Sequence, residues 1–138
     1  MAKSNNRGRR KKGMAELTEA EWAIMEVVWE EQPCAAGTVQ EALVSTKDWS
    51  YATVKITMDR MVKKGFLEVT KVRNLHLFAT TVNKVEAQRG EFHRMLKRAF
   101  DGALTPMMQF LVDHEGISSE DAKCLRDLAR KAEKGEGQ

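Results

Sequence analysis

Between residues 17 and 66, apolar positions recur at three- and four-residue steps in three separate runs, the spacing of amphipathic helices. The first run is "LTEAEWAIMEVVWEEQ". Thr18 is a good N-cap, and Glu21, three residues on, completes a capping box in which each side chain satisfies the other residue's free backbone N–H. Leu17 and Trp22 stand where a hydrophobic staple would form, and Met25, Val28 and Trp29 continue the apolar stripe. Glu19 and Glu21 fall in the first turn, where the helix dipole favours acids, and Pro33 ends the helix. A shorter second helix follows in "AAGTVQEALVSTKD", with Val39, Leu43 and Val44 expected inward. The third, in "WSYATVKITMDRMVKKGF", is capped by Ser50 and stopped by Gly65.

The pattern then changes period. In "FLEVTKVRNLHLFATTV", Leu67 and Val69 alternate with Glu68 and Thr70, and "VRN" can form a turn, so this stretch predicts a two-stranded hairpin. From Asn83 the helical period returns: Val85, Phe92 and Ala99 recur every seven residues, with Met95 and Leu96 beside them. A short apolar helix is expected around "TPMMQFLVDH", with Pro106 in its first turn, and a last one from Ser118 through Ala122, Leu125, Leu128 and Ala132. The fold predicted is mainly α with a small β-hairpin wing: a winged helix-turn-helix domain at 14–82, then a helical dimerisation region at 83–138.

Stepping the third helix by about 100° per residue divides it. Val54, Met58, Met61, Val62 and Tyr51 share one face, with Thr57 on its flank. Ala52, Ile56, Asp59, Arg60 and Lys63 lie opposite, and Thr53 and Lys55 border them. A solvated face with one exposed Ile is the plain reading of such a helix taken alone. A small, basic face carrying one β-branched side chain also suits a DNA major groove, where small residues permit close approach and Ile can touch a thymine methyl. Its place after a helix-turn-helix spacing and before a hairpin bearing Lys71, Arg73 and His76 favours DNA.

Charge sharpens this picture. The net +3 of 138 residues conceals an arm, residues 1–13, with six Lys/Arg and no acid. The arm is expected to be flexible, either a solvated tail raising nonspecific affinity or a strand of basic residues in a neighbouring minor groove. The remainder holds 17 basic against 20 acidic residues, and of these, residues 49–76 hold six basic against two acidic. The hairpin and third helix are therefore the basic part of the body.

Other chemistry is not legible. Cys34 and Cys124 are far apart without a C-x-x-C, and His76, His93 and His114 are scattered, so neither a metal site nor a disulfide framework is expected. No nucleophile–base arrangement, paired carboxylates or phosphate loop suggests an enzyme, and no cofactor is implied. No secretory pattern and no run of about 20 apolar residues is present, which predicts a cytoplasmic chain without membrane insertion. Trp22 and Trp29 are expected in the core. Trp49 is expected between the third helix and the wing, its indole N–H within reach of a phosphate. Asp59 can pair with Lys55 or Lys63, each four residues away.

The runs "LTEAEWAIMEVVWEEQ" and "DWSYATVKITMDRMVKKGFLEV", with the hairpin that follows, resemble the penicillinase-repressor family of bacterial transcription factors, from about Leu17 to Leu128. The resemblance implies a homodimeric repressor on a palindromic operator in double-stranded DNA, often built on TACA/TGTA half-sites, with the C-terminal helices as the dimer interface. It also implies a membrane sensor-protease system whose signal leads to cleavage of the repressor. The family's Asn-Phe scissile pair is matched here by Gln109-Phe110. The departures are Tyr51, where Pro or Ala is frequent, Ile56, where Thr is frequent, and Thr57, where Leu is frequent. Copper-sensing members carry a Cys-x-Cys cluster that this sequence lacks, so copper release is not expected.

The expected DNA-contacting set is Ser50, Thr53, Lys55, Ile56, Arg60, Lys63, Lys64, Lys71 and Arg73. Thr53, Lys55, Ile56 and Arg60 would read bases, and Lys63, Lys64, Lys71 and Arg73 would bind phosphates. The expected dimer interface is Val85, Phe92, Met95, Leu96, Ala99, Met107, Met108, Leu111, Leu125 and Leu128. An alternative from another class is a winged helix that docks a partner protein without specific DNA readout.

Overall fold

Helix α1, Glu19–Glu31, begins as its cap requires: the Glu21 N–H donates to Thr18 Oγ1 at 3.2 Å, and the Thr18 N–H donates to Glu21 Oε1 at 2.9 Å. The computed structural model describes residues 16–135, so the basic arm at 1–13 lies outside the described residues. Helix α2 spans Ala36–Lys47 and ends at Asp48, whose φ of 54° turns the chain toward α3. Gln40 Nε2 donates to the Trp49 carbonyl at 3.1 Å, fixing the three-residue turn. Helix α3, Tyr51–Lys64, starts at Ser50, which accepts from the Thr53 N–H, and stops at Gly65, whose φ of 95° favours glycine.

Strands β1, Leu67–Val72, and β2, Leu75–Thr80, pair antiparallel from Leu67 with Thr80 to Val72 with Leu75. The two-residue loop Arg73-Asn74 holds Arg73 at φ 60°. Cys34, in the α1–α2 connection, adds a bridge to Phe78: its N–H donates to the Phe78 carbonyl at 3.0 Å, and the Phe78 N–H donates back at 2.7 Å. Three helices followed by this hairpin form a winged helix-turn-helix.

One core unites these elements. Ile24, Met25 and Val28 from α1 meet Val39 from α2, Val54, Met58 and Met61 from α3, and Phe78 from β2. Each fully buried aliphatic side chain is worth about 1.5–3 kcal/mol, so the α3 stripe contributes several kcal/mol to holding that helix in place. Trp22 and Trp29 pack against this core with ring centroids 5.7 Å apart, and Trp29 Nε1 donates to the Val82 carbonyl at 3.0 Å. Trp49 also packs against it. Val44, expected inward, is exposed in the last turn of α2.

A second contact joins α1 to α3. Lys64 Nζ donates to Glu21 Oε1 at 2.7 Å and to the Glu16 carbonyl at 2.9 Å. Glu21 is 2% exposed, so its charge depends on this ammonium and on the Thr18 N–H.

Helix α4, Lys84–Phe100, is opened by a reciprocal box between Asn83 and Glu86. The chain forms two compact units, the first running through Glu91 and the second from Phe92, so the boundary falls within α4. In the first unit, Ala87 joins the core and Lys84 pairs with Glu26 at 3.0 Å. The second unit continues through α5, Leu104–Phe110, a π-helical turn at Leu111–Glu115, and α6, Ser119–Glu133, capped by Ser118. No helix among the described residues is long and apolar enough to cross a membrane.

Two outcomes follow. Truncating Lys64 strands a buried carboxylate, so Lys64→Ala should lower the stability of the first unit by about 3 kcal/mol in urea unfolding followed by tryptophan fluorescence. The paired change Glu21→Leu/Lys64→Met should recover much of that loss, whereas a loss in the double variant equal to both single losses added would argue against the pair. Burial pushes the Cys34 thiol above its ordinary pKa, and the nearby Glu31 carboxylate adds to the rise. Cys34 therefore stays a protonated, covered thiol at neutral pH, while Cys124 is exposed. Iodoacetamide should modify Cys124 first, and Cys124→Ser should abolish the fast phase; a fast phase surviving that change would contradict the burial of Cys34.

Candidate nucleic-acid interface

The outward face of α3 is positioned by its inward one. With Val54, Met58 and Met61 fully buried, Ile56 and Arg60 must point away from the core. Ile56 is 58% exposed, and nothing in the fold explains a β-branched apolar side chain left in water at mid-helix.

The polar groups on this face are partly ordered before any ligand arrives. Ser50 Oγ donates to Thr53 Oγ1 at 3.1 Å while accepting from the Thr53 N–H at 3.1 Å. Thr57 Oγ1 donates to the Thr53 carbonyl at 2.8 Å. Lys55 Nζ reaches both oxygens of Asp59, at 2.9 and 3.2 Å, so of the two lysines within range Asp59 takes Lys55. An exposed pair of this spacing is worth only a few tenths of a kcal/mol and opens readily. Arg60 and Lys63 have no hydrogen bond or ion pair among the described residues.

The structure separates two adjacent lysines. Lys63 is exposed and unpaired, whereas Lys64 is committed to Glu21 and the Glu16 carbonyl. Lys64 was expected on phosphates; in the structure its ammonium pairs with a buried acid. Tyr51 departs from expectation in the other direction. Helical stepping assigns it to the core face, but it is 53% exposed at the first residue of α3. The first turns of a recognition helix are where base and phosphate contacts concentrate, so Tyr51 joins the candidate surface. Its position as the first helical residue was the available signal.

The wing supplies further cations. Lys71 and His76 are cross-strand partners, and Arg73 stands at the tip, all three exposed. Lys71 and Arg73 are also without ion pairs among the described residues. The Trp49 ring lies 5.9 Å from Lys47 Nζ, and no described group accepts from its indole N–H. Once Lys55–Asp59 and Lys64–Glu21 are paired, the uncompensated charges of this surface are Arg60, Lys63, Lys71 and Arg73. Such a surface attracts polyanions, and a lone exposed Ile at its centre can discriminate between bases. No cluster of His, Cys, Asp or Glu among the described residues has metal-holding geometry.

The expected dimer residues divide between the units. Val85, in the first, is exposed. In the second, Phe92, Ala99, Met108, Leu125 and Leu128 are exposed and Met95, Met107 and Leu111 half-buried. Leu96 is only 8% exposed within the single chain. Leu104 and Val112 are exposed apolar residues absent from the expected set. Gln109 and Phe110 are both exposed at the end of α5, where the Phe110 ring meets Phe100 edge-on at 5.8 Å and lies tilted against His114 at 4.7 Å.

Comparison with known proteins identifies the family of the chain. The family model described as the penicillinase repressor matches residues 17–131. The methicillin resistance regulatory protein MecI of Staphylococcus aureus strain N315 is 23% identical over 116 residues, covering 84% of this chain and 94% of that protein. The penicillinase repressor of Bacillus licheniformis is 24% identical over 117 residues, covering 85% and 91%. Among solved structures, the monomeric form of Bacillus licheniformis BlaI in complex with the blaP half-operator aligns at a TM-score of 0.47 and 23% identity, over 53% of this chain and 89% of that one. The chain belongs to the penicillinase-repressor family and is a DNA-binding transcriptional repressor rather than an enzyme.

Proposed function

We propose that two copies of this chain occupy a palindromic operator, each laying α3 in the major groove of one half-site. The observation that carries this reading is the α3 face itself: Ile56 exposed beside the unpaired cations Arg60 and Lys63, on a helix whose opposite side is buried. In this arrangement Thr53, Lys55, Ile56 and Arg60 read base edges. Ser50 and Lys63 position the helix on phosphates, and Lys71 and Arg73 attach the wing to the duplex. Lys55 exchanges its bond to Asp59 for an acceptor on DNA.

Dimerisation is supported by the apolar side chains that the second unit leaves in water, Phe92, Met108, Leu125 and Leu128 among them. A twofold pair would cover them and match the symmetry of a palindrome. Release by a membrane sensor-protease system is supported by the exposure of Gln109-Phe110 and by the kinship with MecI and the penicillinase repressors. Docking of a partner protein through the winged helix is the second reading; the basic character of the α3 face speaks against it.

Base reading and phosphate binding are separable by experiment. Replacing thymine by deoxyuridine at the position Ile56 touches should weaken the wild type and leave Ile56→Ala unaffected, in mobility shifts on operator fragments selected from the source genome. Lys63→Ala should weaken binding to all duplexes alike and lower the salt slope by about one. Equal effects of both substitutions on every duplex and at every salt concentration would defeat the assignment. For release, mass spectrometry of the protein from derepressed cells should show a fragment boundary between Gln109 and Phe110, and an intact chain would rule cleavage out.

A further inference from the structure

Asp59 is the one acid in α3, and helix stability does not explain the partner it takes. It follows Ile56 by three residues, so the two are neighbours on the helix surface, and both are exposed. An acid four residues before a lysine supports a helix better than the reverse order. Lys63 stands in that better position, yet Asp59 bonds Lys55, four residues before it. An exposed pair of this kind adds little to the fold. Against a polyanion, a carboxylate beside Arg60 and Lys63 is a cost.

The pair has a second property. It holds a lysine donor beside a carboxylate acceptor, with Nζ 2.9 Å from Oδ2 and 3.2 Å from Oδ1. The major-groove edge of a base pair offers the complement: an acceptor and an amino donor bonded to one another across the pair, at about 2.9 Å. In G·C these are guanine O6, with N7 beside it, and the cytosine N4 amino group. Lysine suits the O6/N7 edge, and a carboxylate suits the cytosine amino group. A·T fits less well, because its amino group lies beside the N7 acceptor and its thymine oxygen beside a methyl group.

We propose that Asp59 is a specificity-determining residue and that, with Lys55, it selects a G·C pair within the half-site. Lys55 gives up its longer bond, to Oδ1, and donates to guanine O6 or N7. Oδ1, so released, accepts from the N4 amino group of the paired cytosine. The bond to Oδ2 keeps the two side chains in register. At any other base pair the carboxylate meets an acceptor or finds no donor, so the acid that lowers affinity for DNA in general rewards this one pair. Ile56, one turn away, reads a neighbouring position. This inference rests on the operator-binding reading above.

The test is fluorescence anisotropy with the full chain on one duplex that wild type selects from the source genome, and on duplexes that change each base pair of its half-site in turn. Wild type should lose about tenfold in affinity when one particular G·C pair becomes A·T, T·A or C·G. Asp59→Ala and Lys55→Ala should each flatten the preference at that same pair and leave the preferences at other positions. Replacing its cytosine by 2-pyrimidinone, which lacks the amino group, should weaken wild type but not Asp59→Ala. An Asp59→Ala effect equal on every duplex, the behaviour of a charge that only repels phosphates, would overturn the proposal. So would Asp59→Ala and Lys55→Ala acting at different base pairs. Salt-dependent binding by wild type to the selected duplex keeps the operator reading intact in either case. A wild type that selects no duplex would remove the operator reading, and this inference with it.

Discussion

The Glu21 carboxylate is the point on which the DNA-binding unit turns. It is buried, it accepts from the Thr18 N–H at the start of α1, and it accepts from Lys64 at the end of α3. A buried carboxylate left alone costs several kcal/mol, so the fold must bring an ammonium to it. Doing so ties the last turn of α3 to the first turn of α1. The Val54, Met58 and Met61 stripe fixes the rotation of α3 about its axis, and the Glu21–Lys64 pair fixes the helix end. Together they determine which residues of "VKITMDRMVKK" remain for a ligand.

That selection gives the outward face its character. Of the four cations on α3, Lys64 is withdrawn by Glu21 and Lys55 is held loosely by Asp59, while Arg60 and Lys63 stay unpaired. The exposed Ile56 lies among them. In the proposed reading, phosphates reward the unpaired charges whatever the sequence, and Ile56 adds preference only where it meets a thymine methyl. Affinity and specificity would then be carried by different side chains on one helix.

Local signals made most of the unit legible in sequence. The Thr18/Glu21 box, the Ser50 cap, the Gly65 stop and the change of period at Leu67 each act within a few residues, and each helix or strand they mark is present. Errors arose where burial depends on distant elements. Tyr51 lies on the inward face by angle and Val44 was expected inward beside Leu43, yet they sit in the first turn of α3 and the last turn of α2, where the core no longer covers them. Lys64 looked like Lys63 because its partner is 43 residues away. Leu96 stands beside the seven-residue repeat of the exposed Val85, Phe92 and Ala99 but is buried in the single chain.

A repressor of this design should present one contiguous surface to DNA and keep α1 out of contact. Backbone amide NMR of the first unit within the full chain, titrated with an operator duplex selected from the source genome, tests this most directly. Resonances of residues 50–63 and 71–76 should shift together, while those around Glu26 and Glu30 on the outer side of α1 stay in place. Shifts concentrated on α1, with α3 unmoved, would contradict the assignment of α3 as the reader.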